Sequence, residues 1–291
     1  MTRCNATATG FVAVLLWSLL AVLTVGSAPT PPLLLNTICF SIGGTLGLIW
    51  TASTGGLAQL RTVPLRIYLF GTVGLFGYHF LYFSALRLAP AAEAGLIAYL
   101  WPLLIVLFSG LLPGEHLRRG HLVGAGLGFA GAALIITGGQ TGFQIDAAPG
   151  YALAFLCALT WSAYSVVSRR LGNAPTATVA VFCIATAVLS ATLHIMLEET
   201  VWPIGLTGWA ATLALGLGPV GLAFYVWDIG VKRGDIQLLG TSSYAAPLLS
   251  TLILVLAGIA APSWTLAVAA ALITGGALLA ARASQNVGSG G

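Results

Sequence analysis

Charge is what this sequence has least of. Asp, Glu, Lys and Arg together make up 6% of its 291 residues, against about 25% in an ordinary soluble domain. So few charges cannot clothe a water-facing surface, and the chain's solvent is therefore lipid. Paired cysteines are also missing. Cys4, Cys39, Cys157 and Cys183 form no CxxC and three of them lie in apolar runs, which reads them as small packing residues. There is no Walker P-loop, no HExxH and no GxSxG, which argues against ATP-driven work by this chain alone and against zinc-protease or serine-hydrolase chemistry. Two GxGxxG patterns, Gly126 to Gly131 and Gly216 to Gly221, follow no strand and lie inside apolar stretches, so they read as close helix packing. The basic residues are dispersed and form no nucleic-acid patch. No cofactor and no metal site is expected.

Apolar length is what the sequence has most of. Ten runs reach the roughly 20 residues that a spanning helix needs: 8–26, 32–52, 66–88, 91–112, 120–139, 149–168, 178–197, 206–231, 237–258 and 262–281. No soluble domain fits between them. The first has no cleavage site after it and reads as a membrane helix rather than a leader. The tail, 284–291, is expected to be disordered. An even count puts both chain ends on one face. With that face in the cytoplasm, Arg3, Arg61, Arg66, Arg118, Arg119, Arg169, Arg170, Lys232, Arg233 and Arg282 lie inside and Arg87 alone lies outside. That bias satisfies the positive-inside rule and predicts a multi-pass inner-membrane protein with cytoplasmic termini.

The halves resemble each other. Ala98-Tyr99-Leu100-Trp101-Pro102 lies 145 residues before Ser243-Tyr244-Ala245-Ala246-Pro247, and the same shift carries Gly71 onto Gly216, Gly95 onto Gly240, Gly131 onto Gly276 and Arg87 onto Lys232. A shift of 144 carries Phe11, Trp17 and Ser18 onto Phe155, Trp161 and Ser162. The expected fold is all-α: two five-helix repeats, 1–145 and 146–283. Because five is odd, the second copy is inverted. Such repeats place a binding site near the midplane.

The residues that stand out there are aromatic. The third run carries Tyr78, His79 and Tyr82, and the fourth Tyr99 and Trp101. The first carries Trp17, the sixth Trp161 and Tyr164, the eighth Phe224, Tyr225 and Trp227, and the ninth Ser243 and Tyr244. Trp17, Tyr78, His79, Tyr82, Tyr99, Trp101, Trp161, Phe224, Trp227, Ser243 and Tyr244 are the expected substrate-binding set. Rings for an apolar side chain and hydroxyl, indole and imidazole groups for a polar end suit a small amphiphile. Helix packing is the competing use of each ring, and a structural hydrogen bond that of His79. Asp228 either binds a substrate amine or a proton, or pairs with Lys232 one turn later. Pro102 and Pro247, at matching register, are expected hinges.

The run Glu93 to Pro102, then Pro113-Gly114-Glu115 and the Gly-rich stretch Gly124 to Gly139, resembles the EamA type of the drug/metabolite transporter superfamily. The Tyr-Leu-Trp-Pro at 99–102 and the stretch Trp227 to Gly234 look most like its aromatic amino acid exporters. The resemblance covers essentially the whole chain. It implies ten helices in two inverted repeats, and a secondary transporter that exports amino acids or related metabolites by alternating access. One departure stands out: Ala260 falls where the first repeat has Glu115, so that carboxylate has no second copy. The alternatives are an exporter or flippase for lipid-like or drug-like molecules, and an intramembrane enzyme built on His79 and Asp228. Membrane lipid and a small-molecule substrate are the expected partners. Nothing in the sequence fixes an oligomeric state.

The orientation is tested with reporters fused at residue 284. Alkaline phosphatase is expected to be inactive there and a fluorescent protein bright, and the reverse would overturn the topology.

Overall fold

A computed structural model describes residues 1–140, 142–171, 174–258, 261 and 263–288, the side chains of 286–288 apart. Among these residues the fold is helical, without strands, and has ten spans. They are α1 (Arg3–Gly26), α2 (Pro32–Ser53), α3 (Leu65–Leu88), α4 (Ala91–Ser109), α5 (Arg119–Thr137), α6 (Ile145–Arg170), α7 (Thr178–Leu197), α8 (Gly205–Arg233), α9 (Ile236–Leu256) and α10 (Trp264–Gln285).

The ends differ from the apolar runs where polar residues extend a helix. α1 starts at Arg3 because the Thr2 side chain accepts the Asn5 N–H, and the Thr7 and Thr9 hydroxyls bond back to the turn before them. The last helix continues through Gly288, so Ser284 to Gly288 prolong it rather than begin a tail. Ser284 Oγ lies 3.2 Å from His121 Nε2, which ties that end to α5. Residues 289–291, and Ala260, lie outside the described residues.

Four helix pairs dominate the packing: α5 with α10, α2 with α7, α3 with α6, and α1 with α8. Exchanging each helix of the first half for its counterpart returns the same set: the first two pairs map onto themselves and the last two onto each other. Where α1 crosses α8, Gly10 meets Gly230, and a Cβ on Gly10 would lie 2.8 Å from the Gly230 Cα. The register-matched residues are Ala154 and Ala85, which bury together where α6 crosses α3. Small residues let backbones approach in lipid, where packing and hydrogen bonds must supply the attraction between helices.

The α5–α10 seam makes this testable. A Cβ on Gly124 would lie 2.5 Å from the Gly276 carbonyl oxygen, whereas one on Gly126 meets nothing within 4 Å. Gly124→Val is expected to lower the thermal midpoint in detergent, through about 1–3 kcal/mol of overpacking. Gly126→Val is expected to leave it unchanged. Scanning fluorimetry of the two purified variants decides this.

Candidate functional site

Four spans are interrupted, and each interruption adjoins a residue of the expected pocket. α1 breaks between Trp17 and Leu20, α4 between Ala98 and Trp101, and α9 between Ser242 and Ala245. In α8 a π-turn over Gly218–Leu222 sits just before Phe224. An interrupted helix leaves backbone groups without their usual partners. In lipid such groups must be satisfied by neighbours, and breaks persist only where protein supplies them.

At the breaks in α8 and α4 aromatic side chains supply them. The π-turn donates the Ala223 N–H to Gly218, five residues back, and the Pro219 carbonyl instead accepts the Trp17 indole N–H at 3.1 Å. Pro102 has no N–H to give and stands just past the break in α4. There the Leu103 N–H donates to the Tyr244 hydroxyl of α9 at 3.1 Å. The two halves are thereby stitched together across the midplane.

Around these stitches the rings form one continuous network. Trp17 lies 5.1 Å from Trp227, 5.9 Å from Trp161, 6.0 Å from Trp101 and 6.4 Å from Phe224, ring centre to ring centre. Tyr78 joins Trp161 at 5.4 Å and stacks parallel to Tyr82 at 6.3 Å. His79 joins Tyr78 at 5.1 Å and Phe224 at 6.1 Å. Tyr99 bridges Trp101 and Tyr244. Each such pair contributes about 0.5–1.5 kcal/mol beyond its buried area, which holds the network rigid.

Burial grades along the bundle axis. Trp101, Trp161, Phe224 and Trp227 are buried, whereas Trp17, Tyr78, His79, Tyr82 and Tyr99 keep part of their surface uncovered. On α3, which runs away from the face carrying the chain ends, Tyr78, His79 and Tyr82 lie in the distal half. The hydroxyls of Tyr78, Tyr82 and Tyr99 have no protein hydrogen-bond partner among the described residues, and none is a sealed, unsatisfied atom. His79 uses Nδ1 on the Leu75 carbonyl at 2.8 Å, which leaves Nε2 free.

Ten of the eleven expected residues thus meet in one network. Ser243 does not take part: its hydroxyl is buried and bonds the Leu239 carbonyl of its own helix at 2.7 Å. Tyr225 also turns aside, donating to the Gly43 carbonyl in the α2–α8 seam. Asp228 pairs with Lys232 at 2.9 Å and accepts from the Thr176 hydroxyl at 2.8 Å, so its oxygens are engaged by protein. Sequence reasoning missed Phe40 of α2, which stacks on Phe224 at 5.5 Å and meets His79 at 5.0 Å. It lies in an apolar run with no polar neighbour to mark it. Trp227 donates to Ser165 Oγ at 3.1 Å, a second residue the sequence did not flag. Among the described residues no group of three or more His, Cys, Asp or Glu is placed to hold a metal ion.

The stitch in α4 generates a contrast. Tyr244→Phe strands the Leu103 N–H, at a cost of about 1–3 kcal/mol for an unsatisfied buried group. Tyr99→Phe strands nothing. The thermal midpoint is expected to fall for the first and to hold for the second, measured on both variants in one detergent.

The sequence profile of the EamA-like transporter family matches residues 6–137 and 148–282. The aromatic amino acid exporter YddG of Ancylobacter novellus is 56% identical over 96% of this chain and 98% of its own length. The protein of the same name from Escherichia coli is 28% identical over 96% of this chain and 97% of its own. A crystal structure of a protein 56% identical to this chain superposes with a TM-score of 0.92, covering 96% of this chain and 99% of that one.

Proposed function

The chain belongs to the EamA-like transporter family, and on that premise we propose that it is a secondary transporter exporting amino acids, aromatic ones included, across the inner membrane. It is a multi-pass membrane protein of a transporter family and not an enzyme. The observation that carries the substrate assignment is the pairing, in one place, of stacked rings with unspent polar groups. Trp17, Tyr78 and Tyr82, backed by the buried Trp101, Trp161 and Phe224, offer their uncovered ring surface to a flat apolar side chain. The Tyr78, Tyr82 and Tyr99 hydroxyls and His79 Nε2 stand beside them to take an ammonium and a carboxylate. These unspent polar groups favour a substrate with an amino-acid end over a lipid-like one.

The mechanism we infer is alternating access by two inverted repeats, 1–145 and 146–283. The exchange symmetry of the helix pairs supports it, as do the matching breaks beside Pro102 and Pro247. In this reading each proline is a hinge next to the site, and the half-helix beyond it moves one gate. The chain ends face the cytoplasm, and the distal face of the aromatic network is the release side.

Proteoliposomes carrying the purified chain are expected to accumulate radiolabelled phenylalanine by counterflow. Tyr78→Ala and His79→Ala are each expected to reduce the initial rate by about tenfold, equivalent to ~1.4 kcal/mol of lost binding, while the protein stays monodisperse. His79→Gln, which keeps a hydrogen-bonding amide, is expected to retain part of it. Normal rates in most of these variants would move the pocket elsewhere. Pro102→Ala is expected to slow turnover at near-normal affinity, and wild-type turnover would make the proline scaffold alone.

A further inference from the structure

Glu115 is the residue that the second repeat does not duplicate, and the structure gives it a use. It sits in the connection between α4 and α5, on the face that carries the chain start. Arg3 of α1 approaches it at 3.2 Å and reaches Asp235, between α8 and α9, at 3.6 Å. Arg169, at the end of α6, pairs with the other Glu115 oxygen. The second arm of Arg169 donates to the carbonyls of Val231 and Gly234 at 2.9 and 2.8 Å. Asp235 caps α9 through the Leu238 N–H, and its own N–H donates to the Thr7 hydroxyl of α1. Four charges thus fasten α1, α6 and both hairpins at one point. The Glu115 side chain is 6% exposed and that of Arg169 17%, so these are not loose surface pairs. Beside them the Gln237 side chain is buried, its Nε2 has no partner, and it lines the same small polar cavity as Arg3, Glu115, His121 and Asp235.

The register-matched positions of the opposite face carry no charge. The repeat register carries Arg3 onto Ala147, Arg169 back onto Val25, Asp235 back onto Pro90 and Glu115 onto Ala260, none of them charged. Another ionic position is shared by the two halves. Arg87 reaches Glu198, whose carboxylate accepts the Leu33 and Leu34 N–H groups at the start of α2. Its register partner Lys232 holds Asp228 and the Ala174 carbonyl ahead of α7. The two cations match in register, but their acids do not: Glu198 falls back onto Ser53 and Asp228 onto Phe83. The Glu115 cluster differs in that none of its four members has a charged counterpart.

An inverted-repeat carrier with identical halves would populate its two orientations equally, so any bias must come from groups present on one side. We propose that Arg3, Glu115, Arg169 and Asp235 form a one-sided latch that holds the terminal-face gate shut and sets the resting carrier open to the opposite side. The inference rests on the alternating-access reading. It assigns these residues to the gate's equilibrium, apart from the aromatic site that binds substrate. The latch is the step that cytoplasmic substrate must wait for, and breaking it shifts population without touching the pocket.

The test uses the full chain in a Cys4→Ser background with a reporter at Thr241→Cys, buried one turn beyond Gln237 on α9. Inside-out vesicles are labelled with a membrane-impermeant maleimide. The latch predicts labelling at least threefold faster in Glu115→Gln and in Arg3→Gln than in the parent. Recovery toward the parent rate is expected in Glu115→Asp, and no change in Arg87→Gln. Arg3 is half exposed at the chain start, so its substitution keeps the test meaningful should Glu115→Gln fold poorly. Unchanged labelling in Arg3→Gln and Glu115→Gln, in vesicles where the parent still transports phenylalanine, overturns the latch alone. A parent that does not transport overturns the carrier reading and the latch with it.

Discussion

A backbone amide or carbonyl left unpartnered in hydrocarbon costs several kcal/mol, and this constraint organises the molecule. Most of its length satisfies it with unbroken helix. At two of the four breaks the missing partner comes from an aromatic side chain of the other half: the Trp17 indole on the Pro219 carbonyl, the Tyr244 hydroxyl on the Leu103 N–H. Those side chains must stand at the midplane to do so, and their neighbours crowd around them. The ring network is thus a consequence of the breaks as well as the proposed binding surface. Substituting Trp17 or Tyr244 therefore disturbs a helix and the ring network together.

The same logic separates stitching residues from those left over for a ligand. Tyr244 and Tyr99 occupy matching positions in the two halves. Yet the Tyr244 hydroxyl is spent on backbone, whereas that of Tyr99 is unspent among the described residues. Trp161, the counterpart of Trp17, lies in an uninterrupted α6. The two halves share a plan, and function lies in where they part from it.

Much of the fold was legible because lipid imposes length. The run 66–88 became Leu65–Leu88 and the run 178–197 became Thr178–Leu197. Polar residues that cap or back-bond, as at Thr2 and Thr7, are why α1 begins earlier than its apolar run. The candidate site was legible as a set of rings because aromatic residues deep in a span are conspicuous. Their directions were not. Ser243 bonds back to its own turn and Tyr225 faces a seam, choices made by rotamer and packing rather than by spacing. Phe40 carried no polar tag. The π-turn at Gly218–Leu222 has no pattern that hydropathy registers. The Glu115 cluster joins residues more than a hundred positions apart, so no local window holds it.

The central claim is that the stacked rings and unspent hydroxyls of the midplane form the substrate site. A cryo-EM structure of the chain saturated with phenylalanine tests it most directly. The account predicts the phenyl ring in van der Waals contact with Trp17 or Trp161, and the amino acid's polar end within hydrogen-bonding reach of Tyr78, His79 or Tyr99. Density for the ligand at the lipid-facing surface or among the ion pairs of Glu115, with the ring network unchanged and empty, would contradict it.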